Sequence, residues 1–300
     1  MTYGLPYKGS KNKIANWVVS HFPHRTNFYD LFCGGCAITH KCLEENRFEN
    51  YIINDIDKLI TQLFMDCVNG EIDENKYTKW VSREDFFRSK DTDPIVKYCW
   101  SFGNKGTTYL YGRDRERLKY CVHTAIVDGN YDLLLNEYNI DLRPLEGIEN
   151  VNERRLLTKK IIRDRKTHDL QHIENLMRIQ HLEGLLRVFD FVSYKDRSIT
   201  AFNKDYSDIE IKSDSIIYCD IPYKGTDPYN TIGFDYERFY NWCSEQKELV
   251  IISEYDMPSE GFECIDSINK RVTMSQYDNK LLRTERLFVP KHQIDMLQGI

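Results

Sequence analysis

Several short apolar runs in this chain end on a carboxylate, and that repeated ending constrains its fold more than any other feature. "NFYD" stops at Asp30 and enters a glycine turn, "NYIIN" stops before Asp55, "SIIYC" before Asp220, and "ELVIIS" before Glu254. Such runs, rich in β-branched and aromatic residues, read as buried strands. Segments with helical spacing lie between them. Ile14, Trp17, Val18 and Phe22 align in residues 12–22, and a helix runs from Ala37 to about Asn46. Leu59, Ile60, Leu63, Phe64 and Cys67 share a face that stops at Asn69-Gly70, and Tyr236, Phe239, Tyr240 and Cys243 share another. "SITAFNKDY" and "RTERLFVP" add further strands. Strand and helix in alternation predict a parallel sheet with helices packed on it.

The alternation is interrupted. From about Asp66 to Arg187 the chain becomes densely charged and loses the pattern. "SFGNKGTTYLYGRDRERLKY" carries Lys105, Arg113, Arg115, Arg117 and Lys119 among aromatics, and "NERRLLTKKIIRDRK" is strongly basic. Leu170, Ile173, Leu176, Leu182, Leu185 and Leu186 form an amphipathic stripe, which periodicity assigns to core packing. The organisation predicted is one α/β domain, 1–65 and 188–300, split by an insertion, 66–187.

Composition excludes several classes. A chain of 300 residues with 41% hydrophobic and 29% charged residues is that of an ordinary soluble globular protein. It has no apolar run of about eighteen residues, so no membrane span is expected. The polar N-terminus lacks a secretory core. Nine cysteines without a framework spacing suit a reducing cytoplasm. Cys33 and Cys36 form a lone C-x-x-C, which reads as packing in a glycine turn, and no metal is expected. The net charge of −6 argues against a protein that coats nucleic acid, yet allows one that binds it through a local patch.

In an open α/β sheet, ligands bind outside the carboxyl ends of the strands. The acids there are Asp30, Asp55, Asp205, Asp220 and Glu254. Loops favour aspartate anyway, but a set at corresponding strand ends makes a ligand-binding rim. The turn "DLFCGGCAI" lacks the G-x-G-x-x-G spacing, though its glycines admit a ligand close to the backbone. Asp55 is placed to accept hydrogen bonds from ribose hydroxyls, so the pocket suits a nucleoside with few phosphates. At Asp220-Ile221-Pro222-Tyr223 a carboxylate and a backbone carbonyl can accept from one amino group, and the ring offers a stacking face. Two such acceptors draw an exocyclic amine toward tetrahedral geometry and free its lone pair to attack an electrophilic methyl.

Taken together, these segments resemble the Dam-type S-adenosylmethionine-dependent DNA adenine methyltransferases, especially phage-borne versions. "YKGSK" resembles the N-terminal methionine-binding motif, "DLFCGG" the D-x-F-x-G-x-G cofactor loop and "NDID" the ribose-binding acid. "KDYSDI" resembles the segment beside the cofactor adenine, and "DIPY" the D-P-P-Y catalytic motif. "GFDYERFYNWC", "ISEYDMP" and "RTERLFV" follow in the family's order.

The resemblance implies a Rossmann-like, mostly parallel seven-stranded sheet with an inserted, largely helical target-recognition domain. It implies S-adenosyl-L-methionine as cofactor, held by Tyr7, Lys11, Asp30, Asp55 and Asp220, with Phe32 and Gly34 shaping the pocket and Asp205 and Tyr206 beside the adenine. Asp220 and the Ile221 carbonyl would hold the N6 amino group of an adenine extruded from double-stranded DNA, with Pro222 in the motif and Tyr223 stacking on the base. Lys105, Tyr111, Arg113 and Arg115 are the expected DNA contacts.

Two departures stand out. Cys36 replaces the loop's third glycine and is expected to narrow the approach to the methionine tail. Ile221 replaces the first proline of D-P-P-Y. The alternatives are a cytosine-N4 enzyme and an inactive DNA-binding relative. A small-molecule or RNA methyltransferase leaves the basic insertion without a purpose. The sequence leaves open monomer or weak dimer, and a cognate restriction endonuclease as partner; the cytoplasm of a bacterial host or phage-infected cell is the expected location.

Overall fold

The computed structural model describes residues 2–73, 78–164, 180, 181, 183, 184, 190–224, 233–271 and 282–297. The stripe from Leu170 to Leu186 lies outside them: Leu170, Ile173, Leu176, Leu182, Leu185 and Leu186 are not among the described residues. The chain divides into two compact units, one holding Met1–Gly4, Gly9–Met65 and Asp196–Ile300, the other Leu5–Lys8 and Asp66–Lys195.

The first unit is built on a seven-stranded sheet. Its strands are β1 (Asn27–Asp30), β2 (Asn50–Asn54), β3 (Ser198–Phe202), β4 (Ser215–Cys219), β5 (Leu249–Glu254), β6 (Phe262–Arg271) and β7 (Leu282–Pro290). Their order is β3-β2-β1-β4-β5-β7-β6. β1 to β5 pair in parallel, whereas β7 runs antiparallel to both β5 and β6. Every residue of β1, β4 and β5 is buried, as the central strands of a sheet covered on both faces must be. Edge strand β3 is only partly buried.

Ile217, Val250 and Ile252 pack with Tyr29, Phe239 and Cys243 in the main core. Each fully buried aliphatic side chain contributes about 1.5–3 kcal/mol. Phe239 and Cys243 come from the helix Tyr236–Glu245, whose N-terminus is capped by Asp235 accepting from the Arg238 N–H.

Four helices of this part of the chain, α1 (Ala15–Val19), α2 (Ala37–Glu44), α3 (Lys58–Asn69) and Tyr236–Glu245, lie where helices were predicted. The first is shorter than residues 12–22, because a turn from Lys11 to Ile14 precedes it. β6 was not legible as a strand. "FECIDSINKR" lacks a clean two-residue alternation, and a bulge between Cys264 and Asp266 shifts its register. Its strand character comes from the backbone donors and acceptors that β7 presents to it.

The second unit is largely helical among its described residues: α4 (Arg83–Ser89), α5 (Pro94–Cys99), α6 (Arg113–His123), α7 (Asp132–Tyr138) and α8 (Val151–Asp164). Tyr236–Glu245 is accordingly α9. Ser82 caps α4, and Asp93 caps α5 just before Pro94. The interior holds Trp100 stacked on His181 at 3.8 Å and Tyr111 parallel to Trp80 at 5.8 Å. No helix of the described residues is long and apolar enough to cross a membrane.

Candidate active site

Five parallel strands bring their carboxyl ends to one edge of the sheet, so Asp30, Asp55, Asp205, Asp220 and Glu254 share it. β1 and β4 are neighbours, with β2 and β3 on one side and β5 on the other, so strand order reverses between them. Asp30 closes β1 and Asp220 follows β4 at this switch point.

Asp220 does not stand alone. Lys11 Nζ lies 2.6 Å from its Oδ1 and 3.5 Å from Glu285 Oε1. Burial works against the Lys11 ammonium, but the two carboxylates outweigh it, and its pKa lies above the ordinary value. Lys11 therefore stays charged inside the site. The same ammonium sits 4.5 Å above the centre of the Tyr223 ring. Sequence reasoning assigned Lys11 to the cofactor; its described partners are Asp220 and Glu285.

The turn after β4 has no regular secondary structure, so side chains from other elements hold it. The Tyr236 hydroxyl donates to the Pro222 carbonyl at 2.8 Å. Glu254 accepts from the Lys224 N–H at 3.3 Å and from the Tyr255 N–H at 2.7 Å. The Tyr223 hydroxyl donates to Glu285, and the Tyr255 ring meets the Tyr223 ring edge-on at 4.4 Å. Burial first, then the charges of Asp220 and Glu285, raise the Glu254 pKa to about 7. Ile221, which departs from the family's proline, is 2% exposed and packs in the main core. Its side chain thus serves packing.

The glycine turn lies at the end of β1. Gly34 and Cys36 both have left-handed backbone, with φ of 43° and 54°. Cys36 therefore keeps the conformation that a glycine would take most readily, with its thiol buried 3.8 Å from the Gly34 carbonyl. Asp55 accepts from the Gly34 N–H at 2.8 Å and from the Asp57 N–H at 2.9 Å. Burial raises its pKa despite those two donors. A carboxylate offers about four acceptor positions, so Asp55 can shape the turn and still accept from a ribose.

Phe32 lies 5.4 Å from the ring of Tyr206, and both touch Phe239. The Tyr206 hydroxyl oxygen is buried with no hydrogen-bond partner among the described residues, as a group reserved for a ligand would be. Asp205 caps the turn Tyr206–Asp208 and pairs with Arg238 at 2.9 Å. Burial opposes that pairing, but the Ser207 hydrogen bonds and Arg238 leave its pKa below the usual carboxylate range. Asp30 is 1% exposed and accepts from Thr39 at 2.7 Å. Burial lifts its pKa to about 7 against the Thr39 bond, helped by the charges of Asp220 and Asp55. Its Oδ1 has no hydrogen-bond partner among the described residues.

Tyr7 belongs to the second unit, where its ring lies 5.6 Å from that of Tyr98. Of the expected DNA contacts, Lys105, Arg113 and Arg115 are exposed. Tyr111 is not: it is 4% exposed, stacked on Trp80 and hydrogen-bonded to His181, so it is a core residue of the second unit. Lys119 is also buried beside Tyr111, and Arg117 pairs with Glu137. Glu285 escaped sequence reasoning. Its signal was a charged residue within an otherwise strand-like run, "RTERLFV", which reads equally well as a solvated edge.

The glycine turn, the acid rim and the reversal of strand order define a Rossmann-like methyltransferase. Residues 7–128 match the family model of the D12 class N6 adenine-specific DNA methyltransferases. The protein is an enzyme that moves a methyl group from S-adenosyl-L-methionine to the N6 amino group of adenine in double-stranded DNA. Among solved structures, the rRNA methyltransferase AviRa from Streptomyces viridochromogenes is similar to 93% of this chain and 84% of its own, at 8% identity and a TM-score of 0.36.

Proposed function

We propose that Asp220, the Ile221 carbonyl and Tyr223 are the groups that engage an adenine extruded from the duplex, and that the basic insertion recognises the DNA site. The observation that carries this reading is Asp220 at the switch point, bonded to Lys11 and followed by a turn pinned through Tyr236, Glu254 and Glu285. Asp220 and the Ile221 carbonyl accept the two N–H groups of the amine, and the Tyr223 ring covers the base.

The residues present fit S-adenosyl-L-methionine, which supplies the electrophilic methyl when bound. Asp55 and Gly34 would meet its ribose and tail, while Phe32 and the Tyr206 hydroxyl would line the adenine pocket. Arg113 and Arg115, at the exposed start of α6, would meet phosphates or guanine edges. The same reading places the enzyme in the cytoplasm of a bacterium or phage-infected cell, where its nine free thiols stay reduced.

Methyl transfer from labelled S-adenosylmethionine into unmethylated genomic DNA, with Asp220→Ala in parallel, tests this reading. Methyladenine from the wild type alone is the expected outcome. Methyl transfer that survives in Asp220→Ala would remove Asp220 from the site, and methylcytosine in the digest would favour an N4 enzyme.

A further inference from the structure

We propose that Glu285 is a positioning residue of the reaction: from strand β7 it fixes the ring of Tyr223 in the pose needed to stack on the extruded adenine. The inference rests on the role given to Tyr223 above.

Glu285 is fully buried, at 0% exposure, and alternates along β7 with Leu287 and Val289, which are equally buried. Residues two apart on a strand share a face, so Glu285 stands in a row that core packing alone would fill with aliphatic side chains. A carboxylate in such a place is costly unless it is paired. Its partners belong to the site: the Tyr223 hydroxyl donates to Oε1, and Lys11 Nζ lies 3.5 Å from the same oxygen.

These contacts hold the ring from several directions. Glu285 takes the hydroxyl, the Lys11 ammonium lies over a face and the Tyr255 ring abuts an edge. The turn carrying Tyr223 has no helix or strand ladder to set the ring's direction. A hydrogen bond to a strand 62 residues further along the chain supplies that direction. It also explains why the ring is a tyrosine: phenylalanine would stack equally well but could not be tethered. Because Lys11 bridges Asp220 and Glu285, the tether ties the acceptor of the amine and the stacking surface into one network.

The test uses the full chain and a duplex with 2-aminopurine in place of the adenine that the wild type methylates. Stacking quenches this base, so a loosened ring should brighten it in the bound complex. Glu285→Ala should brighten it and lower kcat by about ten- to a hundredfold, the scale of a small misplacement, with little change in DNA affinity. Tyr223→Phe, which cuts the tether from the other end, should do the same even if Glu285→Ala fails to fold. Glu285→Gln, which can still bond the hydroxyl, should recover most of the kcat. In the Tyr223→Phe background, Glu285→Ala should add little.

Equal kcat losses from Glu285→Ala with and without Tyr223→Phe, and no change in fluorescence, would overturn the proposal and make Glu285 structural. A Tyr223→Phe enzyme with wild-type kcat and fluorescence would overturn it too. If instead Tyr223→Ala leaves wild-type kcat and fluorescence unchanged, the stacking role itself falls, and this inference with it.

Discussion

Two clusters of buried polar groups among the described residues are treated in opposite ways. At the carboxyl edge of the sheet the buried groups carry charge: Lys11 lies between Asp220 and Glu285, and its ammonium is stabilised there. In the helical unit a pair of buried imidazoles is neutral instead. Tyr111 bonds His181 Nδ1 and His181 Nε2 bonds His123 Nδ1, each at 2.9 Å. Burial lowers the His123 pKa to about 4 and drives that of His181 well below its ordinary value, with the charges of His123 and Lys119 adding to the effect on His181. One neutral chain satisfies these atoms, whereas protonating both rings sets N–H against N–H. The difference teaches that a buried charge persists where opposite charges stand against it, while the two imidazoles, disfavoured as cations by burial, settle for uncharged hydrogen bonds.

That contrast can be broken experimentally. The largest effect belongs to the charged edge: Asp220→Ala should reduce methyl transfer by about 10³-fold or more, the scale of losing a positioned polar group at a reacting centre. Quantified label incorporation at saturating DNA checks it. Lys11→Met should follow, since it strands two carboxylates in a buried site; removing one partner of such a pair costs about 3–5 kcal/mol. Denaturant titration should show the midpoint falling.

The neutral core should respond to acid instead. Between the ordinary histidine value of 6.5 and the folded value of about 4, the unfolded chain binds more protons at His123 than the folded one. Its contribution is therefore complete above pH 6.5 and is lost as pH falls toward 4, by about 3 kcal/mol in all. Thermal melts across that range, followed by tryptophan fluorescence from Trp80 and Trp100, should show the loss. His123→Phe should flatten it. The smallest effects lie on the surface of α6. Arg113→Ala and Arg115→Ala should each reduce the slope of log affinity against log salt by about 1, measured by DNA binding at several salt concentrations. Arg117→Ala, already paired to Glu137, should leave that slope alone.

The central strands could be read directly because buried parallel strands are uniformly apolar, and their closing acids marked the edge before any pairing was known. The insertion's expected DNA contacts were less legible. Lys119 and Tyr111 sit in the same basic, aromatic stretch as Arg113 and Arg115, yet the turns of α6 and the strand-like bridge between Ser101 and Tyr109 send them into the core. A charge in the sequence does not state which way its side chain points. Arg154 shows the same effect, donating to the carbonyls of Val127 and Glu149 from a position 8% exposed.

By itself the sequence determined the alternation of strand and helix, the glycine turn after β1 and the acids that close the strands. These depend on local periodicity and turn chemistry, which are written in neighbouring residues. Only the tertiary structure decided which acids stay charged and which partners they hold. Lys11 meets Asp220 across 209 positions of chain, and Tyr223 meets Glu285 across 62. Contacts that distant arise from strand order, and strand order is set by how the whole sheet assembles.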